Sequence, residues 1–242
     1  MRVVAVIQAR AGSSRLPGKV LLPLGGRPVL DWVVRAARST RLVDEVIVAT
    51  STTAADDAVA AACERLRIGC VRGSEDDVLS RFRLAARTYA ADALVRLTAD
   101  CPMHDPRLID AVVGAWRSAP HYDYVSTVLV RTLPRGLDVE LVTVDALRRI
   151  DASAQGHHRA HVTSGVYADP TTYSCLGLCV APDASDLRMT LDTAEDLAAL
   201  EAVVAELGDA PVDHRALVAL LRSRPDLVAL NAGVVQKAVE LG

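Results

Sequence analysis

The chain has 242 residues, of which 51% are hydrophobic and 24% charged, enough for one sizeable domain with a buried core or two small ones. Its formal net charge of −3 at pH 7 excludes the basic field that draws proteins to nucleic acid or to anionic membranes. No apolar run is long enough to span a bilayer, and the N-terminus lacks a signal-peptide pattern. The five cysteines form no C-x-x-C pair, so we expect reduced thiols and a cytoplasmic protein.

The first half of the chain alternates strand-like and helix-like segments. Buried strands are predicted at 3–7, 45–50, 68–71 and 93–97, and helices at about 28–35, 56–67, 78–89 and 106–117. This alternation predicts an α/β fold, with a mostly parallel sheet covered by helices on both faces. Ligands of such sheets bind beyond the carboxyl ends of the strands. The loops after the first, third and fourth strands should therefore meet in one crevice.

The pattern changes after residue 121. Segments 124–130 and 137–142 are β-like and predict a small β insert or hairpin, followed by a short helix at 144–150. Further strands are predicted at 174–180 and 187–191, and closing helices at 193–207, 212–222 and 225–230. No repeat or linker separates these parts. We therefore predict one domain, 1–242, with a substrate-side insert at about 122–170.

A glycine-rich loop follows the first strand and carries the strongest functional signal. Its sequence, Gln8-Ala-Arg-Ala-Gly-Ser-Ser-Arg-Leu-Pro-Gly-Lys19, lies between a strand and a helix. Glycines let the backbone approach an anion, and the basic side chains neutralise phosphate charge. The loop is not a Walker sequence, because Val20 stands where a hydroxyl is needed, and it lacks the Gly-x-Gly-x-x-Gly of dinucleotide folds. It predicts a triphosphate-binding loop.

The segment Arg10-Ala-Gly-Ser-Ser-Arg-Leu-Pro-Gly-Lys-Val-Leu21 resembles the signature loop of the cytidylyltransferases that make CMP-activated sugars. The resemblance is closest to the spore-coat-polysaccharide type, related to CMP-3-deoxy-manno-octulosonate and CMP-acylneuraminate synthetases. It implies a three-layer Rossmann-like nucleotidyltransferase (GT-A-like) fold and a homodimer. In that family the loop wraps the triphosphate of CTP. The resemblance thus assigns phosphate contacts to Arg10, Gly12, Ser13, Arg15 and Lys19.

Two aspartates are predicted to hold Mg²⁺. Asp100 ends the fourth strand, and a strand-end carboxylate facing a triphosphate loop suits a metal that takes few carboxylates plus phosphate oxygens. Its surroundings, Arg96-Leu-Thr-Ala-Asp-Cys-Pro102, resemble the metal-aspartate motif of the family. Asp192 lies in a segment that resembles the second acidic motif. Alternatively, Asp192 is the N-cap of the next helix, with Glu195 completing a capping box; both roles can coexist.

The resemblance also assigns residues to the nucleoside and to the acceptor. For the nucleoside these are Arg72 and Ser74, which would read cytosine and ribose, and Thr98, which would touch the ribose; the alternative for Arg72 is a solvated turn residue. The segment Pro134-Arg-Gly-Leu-Asp-Val-Glu140 and the segment Arg159-Ala-His-Val-Thr163, which lacks the glutamate of the family pattern, lie on the acceptor side. The acceptor-binding residues predicted from them are Arg135, Asp138, Glu140, Arg159 and His161.

These assignments predict a Mg²⁺-dependent cytidylyltransferase in which Lys19, Arg15 and Asp100 are catalytic. CTP would donate CMP to a sugar acid, a polysaccharide sugar or a small phosphonate. Two alternatives are a nucleotidyltransferase that uses another NTP and a non-catalytic nucleotide-binding module. A zinc hydrolase built on His157 and His161 is disfavoured, because the zincin pattern needs glutamate where His158 stands.

Overall fold

The computed structural model describes residues 1–169 and 171–236. Pro170 and the last six residues of the predicted domain, 237–242, lie outside the described residues. The strands are β1 Val3–Gln8, β2 Pro23–Leu24, β3 Arg27–Pro28, β4 Glu45–Ser51, β5 Gly69–Gly73, β6 Ala93–Thr98, β7 Tyr124–Ser126, β8 Glu140–Thr143 and β9 Cys175–Gly177. The helices are α1 Val29–Arg38, α2 Asp57–Arg65, α3 Val78–Thr88, α4 Pro106–Ser118, α5 Val144–Ser153, α6 His157–Ala160, α7 Ser164–Ala168, α8 Ala194–Leu207, α9 His214–Ser223 and α10 Pro225–Ala229.

Seven strands form one sheet in the order β5-β4-β1-β6-β8-β7-β9. Strand β1 pairs in parallel with β4 and β6, and β8 runs antiparallel to both of its neighbours. The predicted mostly parallel α/β sheet is confirmed. From β1 the chain first builds the sheet toward β5 and then returns to add β6 on the other side of β1. The crevice between the ends of β1 and β6 is therefore the switch point where such sheets bind ligands.

Alternate residues of β1 enter two separate apolar cores, one on each face of the sheet. Val3, Ala5 and Ile7 pack with α1, α4 and α8, whereas Val4 and Val6 pack with α3 and α5. A strand that is buried on both faces has no polar side to expose, which is why its sequence is an unbroken apolar run. The three-layer arrangement follows from these two cores.

The predicted strands of the second half are mostly wrong in extent. Segment 124–130 is a strand only at Tyr124–Ser126, and segment 187–191 forms no strand, only an isolated parallel bridge between Arg188 and Arg135. Leu187, Met189 and Leu191 alternate into the core all the same. Extended chain that packs on a core outside a strand ladder produces the same period-two pattern as a strand. The sequence alone also missed the hairpin of β2 and β3.

No helix in the described ranges is long and apolar enough to cross a membrane.

Candidate active site

The loop after β1 folds back on itself at the carboxyl edge of the sheet. The N–H of Gly18 donates to the carbonyl of Ala11 at 2.9 Å, and Gly18 has a φ of 69°, which glycine adopts without strain. The carboxylate of Asp56 accepts the N–H groups of Ala11 at 2.6 Å and Ser51 at 3.0 Å. Burial by itself would raise the pKa of Asp56, but these hydrogen bonds outweigh it and the pKa is lowered. An ionised Asp56 thus ties the loop to the end of β4.

The side chain of Lys19, the last residue of this loop, is the centre of the site. Its Nζ lies 2.6 Å from Oδ2 of Asp100 and 2.7 Å from Oδ1 of Asp192. Burial would lower the pKa of the Lys19 ammonium, but the two carboxylates outweigh this and raise it. One buried cation is therefore shared by two carboxylates from distant parts of the chain.

Asp192 is held by three basic side chains. Besides Lys19, Nη2 of Arg15 lies 3.0 Å and Nη2 of Arg188 lies 2.8 Å from its Oδ2. Burial opposes ionisation of Asp192, yet the hydrogen bonds from Lys19 and Arg188 and the charge of Arg15 lower its pKa to about 2. Asp192 is therefore an anion throughout the physiological pH range.

The helix cap beside Asp192 differs from the predicted one. Thr193 is the N-cap of α8, and Asp196, not Glu195, completes the capping box. Asp196 is fully buried and also accepts from the N–H of Asp192 at 2.9 Å and from Nε of Arg188 at 2.9 Å. Because Asp196 caps the helix, the carboxylate of Asp192 is available for the cations of the site.

Segment 187–191 links the two aspartates to the insert. The N–H of Leu191 donates to the carbonyl of Asp100 at 2.8 Å, and Arg135 and Met189 are joined through a backbone hydrogen bond of 2.7 Å. Gly136 makes this crossing possible: with a φ of 104°, a Cβ there would lie 2.3 Å from the carbonyl oxygen of Met189. The backbone approach fixes Arg135 relative to Asp100.

A cleft of about 730 Å³ opens over these residues. Most of the site residues predicted from the sequence line it, from both the loop side and the insert side: Arg10, Gly12, Ser13, Arg15, Lys19, Thr98, Asp100, Asp192, Arg135, Asp138, Glu140 and His161. The structure thus brings together residues that span most of the sequence.

On the insert side of the cleft, two of the three charged residues from the Pro134–Glu140 segment are already paired. Arg131 donates to both carboxylate oxygens of Asp138, at 2.6 and 2.9 Å. Glu140 is buried and accepts from the hydroxyls of Tyr124 and Thr163, each at 2.5 Å, and from Arg96.

The guanidinium of Arg135 differs from these pairs, because it donates no hydrogen bond to another described residue. Burial, together with the positive charges of Arg131 and Arg188, lowers its pKa. Arg135 is thus the cation on this side that has donors to offer to a ligand.

Three predicted site residues do not line the cleft. Nε of Arg72 donates to the carbonyl of Ser51 at 2.8 Å, and Oγ of Ser74 accepts from the N–H of Asp77 at 3.1 Å. Arg159 is bound to the carboxylate of Asp77 at 2.6 and 2.8 Å. All three side chains hold local structure here, and their assignment to cytosine, ribose and acceptor stays a prediction.

Sequence reasoning missed the residues that support the site. Arg188, Arg96 and Arg131 are each paired with a carboxylate of the cleft. Arg188 and Asp192 are four residues apart, a spacing that normally indicates an ion pair on a helix. Neither residue lies in a helix here, so the spacing did not predict their contact. Nothing in the sequence identified the partners of Arg96 and Arg131.

Within 1–169 and 171–236, one group of three possible metal ligands lies outside the cleft, and it includes neither His157 nor His161. It consists of Asp105, Asp213 and His214. Arg107 pairs with both aspartates, and Asp105 caps α4 and binds Nδ1 of His214 at 2.6 Å. These bonds explain the group as a helix-cap network.

Comparisons with known proteins extend over nearly the whole chain. A family model described as Cytidylyltransferase matches residues 4–206. The chain is 34% identical over 236 residues to the spore coat polysaccharide biosynthesis protein SpsF of Bacillus subtilis, covering 93% of this chain and 95% of that protein. It is 35% identical over 125 residues to a 3-deoxy-manno-octulosonate cytidylyltransferase of Bdellovibrio bacteriovorus, covering 51% of this chain and 49% of that protein. The solved structure of a cytidylyltransferase from Leptospira borgpetersenii matches with a TM-score of 0.91 and 27% identity, covering 98% of this chain and 100% of that one.

Proposed function

This chain belongs to the cytidylyltransferase family, and we propose that it transfers CMP from CTP to an anionic acceptor in a Mg²⁺-dependent reaction that releases pyrophosphate. Cytidylyl transfer is the activity of the family, whereas the metal and the acceptor are inferred from the site. The observation that carries the proposal is the cation of Lys19 held between Asp100 and Asp192 beside a glycine-rich loop.

The donor set fits Mg²⁺. Asp100 and Asp192 already share the ammonium group of Lys19, and a carboxylate oxygen of each lies within 2.7 Å of its Nζ. Mg²⁺ is typically bound by one or two carboxylates together with phosphate oxygens and water. Asp100 and Asp192 would hold the ion, which when bound neutralises charge on the phosphate oxygens.

The protein's own groups position the triphosphate. The acceptor oxygen attacks the α-phosphorus in line, a hydroxyl acceptor giving up its proton to solvent. The bond from that phosphorus to the bridging oxygen of the β-phosphate breaks, and pyrophosphate leaves. Lys19 stabilises the charge that builds on the α-phosphoryl oxygens, and Arg10 and Arg15 bind the leaving phosphates. This is catalysis by positioning and electrostatics, as in phosphoryl transfer generally.

Arg135 supports an acceptor that carries a carboxylate or phosphonate. A guanidinium with unused donors binds such groups through two parallel hydrogen bonds. Asp138 and Glu140 are already paired with other side chains, so their role would be limited to orienting acceptor hydroxyls. A keto-deoxy sugar acid such as 3-deoxy-manno-octulosonate, the acceptor named for one relative, has both the carboxylate and the hydroxyls.

Pyrophosphate release tests this function. Purified protein would be given CTP and Mg²⁺ with a panel of keto-deoxy sugar acids, a phosphonate and a neutral sugar, with EDTA and other NTPs as controls. We expect a signal that requires CTP, the metal and an anionic acceptor. A signal of equal size with UTP, or one that persists in EDTA, would contradict the proposal.

The homodimer and the cytoplasmic location belong to the same proposal. Light scattering of the purified protein tests the first, and fractionation of cells that make the protein tests the second.

A further inference from the structure

The C-terminal segment 231–236 reaches the active-site cleft. Gln236, its last residue, lines the cleft. At the other end Asn231 is buried, and its Nδ2 donates to Oδ1 of Asp196 at 2.9 Å, beside the cap of α8. The segment lies beyond residues 4–206, over which the family model matches. The match therefore gives this part of the cleft wall no role.

The two arginines that hold Asp192 also hold this segment. Arg15 places Nη2 at 3.0 Å from Oδ2 of Asp192, and its Nη1 donates to the carbonyl of Val235 at 3.2 Å. Arg188 places Nη2 at 2.8 Å from the same carboxylate oxygen, and its Nη1 donates to Oε1 of Gln236 at 2.6 Å. The segment is thus tied both to the glycine-rich loop and to the second aspartate of the site.

The contact with Arg188 fixes the orientation of the Gln236 amide. A guanidinium has donors but no acceptor, so the oxygen of the amide faces Arg188 and the nitrogen, Nε2, is the other branch. In residues 1–169 and 171–236, Nε2 of Gln236 donates to no other residue. Each nitrogen of the Arg188 guanidinium already donates to a partner. The amide nitrogen is therefore the donor that this part of the cleft wall can offer to a ligand.

The contacts of Asp192 indicate which part of the substrate lies beside Gln236. Lys19, which serves the α-phosphate in the proposed function, binds Oδ1 of Asp192. Arg15, which serves the leaving phosphates, binds Oδ2, the oxygen that Arg188 also binds. Gln236 is joined to Arg188 and follows the residue whose carbonyl Arg15 holds. It therefore lies on the side of the leaving phosphates.

We propose that Nε2 of Gln236 donates a hydrogen bond to a non-bridging oxygen of the leaving pyrophosphate group of CTP. The inference deepens the proposed function and rests on it. A neutral amide adds a donor without a further cation, and its hydrogen bond is weaker than that of an arginine. Such a donor supports the triphosphate during the reaction and still lets pyrophosphate leave.

The test compares two variants that affect the Arg188 contact differently. Gln236→Leu removes both the oxygen and the donor, whereas Gln236→Glu keeps an oxygen for Arg188 and replaces only the donor, by a second carboxylate oxygen. The same substitutions at Gln155, an exposed residue that lies away from the cleft, are the matched controls. Equilibrium affinities for CTP, pyrophosphate and CMP are measured with Mg²⁺ and without acceptor, together with the KM of the acceptor and the Tm of the nucleotide-free protein.

We expect Gln236→Leu to bind CTP and pyrophosphate about 10-fold more weakly, the lower end for a hydrogen bond to a charged group because the side chain is exposed. Gln236→Glu should lose at least as much, because an anionic oxygen then faces the phosphates, while its Tm stays equal or rises through the pair with Arg188. Both variants should keep the wild-type affinity for CMP, which lacks the leaving phosphates, and the wild-type KM of the acceptor. The Gln155 variants should match the wild type in all these values.

The two variants separate a phosphate contact from a structural role. Wild-type affinity for CTP in Gln236→Glu would show that Gln236 only holds Arg188 and would overturn the inference. Equal losses for CTP and CMP, or a raised KM of the acceptor with unchanged CTP affinity, would overturn it as well. If the wild type releases pyrophosphate from CTP and the Gln236 variants bind CTP as it does, only the role of Gln236 is refuted. A wild type that releases none and binds CTP no more tightly than CMP refutes the proposed function, and the inference with it.

Discussion

Replacing Lys19 by methionine removes the cation that Asp100 and Asp192 share and leaves an apolar chain of similar length. The side chain lies 2.6 and 2.7 Å from the two carboxylates and is largely buried. Removing one member of a buried charge cluster leaves the others uncompensated, which is costly. We therefore expect Lys19→Met to unfold at lower urea concentrations than the wild type at pH 7.

Two effects set the size of this loss. The pKa of Asp192 lies at about 2 instead of 3.8, equivalent to about 2 kcal/mol at pH 7, and Lys19 provides the largest of the contributions that lower it. The carboxylate oxygens, left about 5 Å apart or closer, repel each other by about 3 kcal/mol at an effective dielectric constant of about 20. Arg15 and Arg188 remain beside Asp192 and limit the effect. The expected loss is about 2 to 4 kcal/mol.

The lowered pKa of Asp192 also predicts how the stability loss of Lys19→Met changes with pH. A carboxyl with a lowered pKa in the folded state contributes stability that is present above its unfolded pKa and is lost as pH falls through the folded one. The deficit of Lys19→Met should thus be full at pH 7 and shrink between about pH 5 and 2.

Urea unfolding followed by circular dichroism at pH 7 and pH 3.5 measures this. Lys19→Arg keeps a charge and should lose less stability. The double variant Lys19→Met/Asp192→Asn should recover part of the loss, and millimolar Mg²⁺ should stabilise Lys19→Met more than the wild type. A deficit that is absent at pH 7, or equal at both pH values, would refute the electrostatic account.

Three further variants probe the rest of the cleft. Asp100→Ala should lose turnover on the order of 10³-fold with a native circular dichroism spectrum; retained pyrophosphate release would remove Asp100 from the catalytic set. Arg135→Lys should raise the KM of an anionic acceptor about tenfold while CTP affinity is unchanged, since lysine lacks the planar fork; an equal effect on a neutral acceptor would argue against a carboxylate contact. Gly136→Ala should cost at least about 2 kcal/mol in urea unfolding, because its Cβ would lie 2.3 Å from the carbonyl of Met189. Gly18→Ala is the matched control: its φ is also positive, at 69°, in the left-handed helical region, but its Cβ would meet nothing within 4 Å, so about 1 kcal/mol is expected. Equal costs would show that the close approach of the backbone is not rigid.

The first half of the chain was predictable because its local signals agree with its tertiary environment. The unbroken apolar run of β1 reflects burial on both faces, and Pro106 opens α4 after the cap of Asp105. The pairing of strands with crossover helices then leaves few topologies. For this reason the sequence also located the meeting point of Lys19 and Asp100 at the strand ends.

The second half of the chain was harder to predict, because the apolar alternation of segment 187–191 comes from packing rather than from a strand ladder. Leu187, Met189 and Leu191 point into the core from a segment that pairs with Arg135 through an isolated bridge and belongs to no strand. Period-two burial reports which side chains are inside, but not what the backbone hydrogen-bonds to. The predicted strand at 187–191 was wrong for that reason.

The sequence by itself determined the layer architecture, the glycine-rich loop after β1 and the residue types that gather at the cleft, because each is encoded in a short continuous segment. Only the tertiary structure decided the partners. Arg188 binds Asp192, Arg131 binds Asp138, and Arg72 is bound away from the cleft. Within the described residues, Nε and Nη1 of Arg81 have no partner. A side chain's charge is fixed by its identity, but whether its donors are used depends on residues that come close only when the chain has folded.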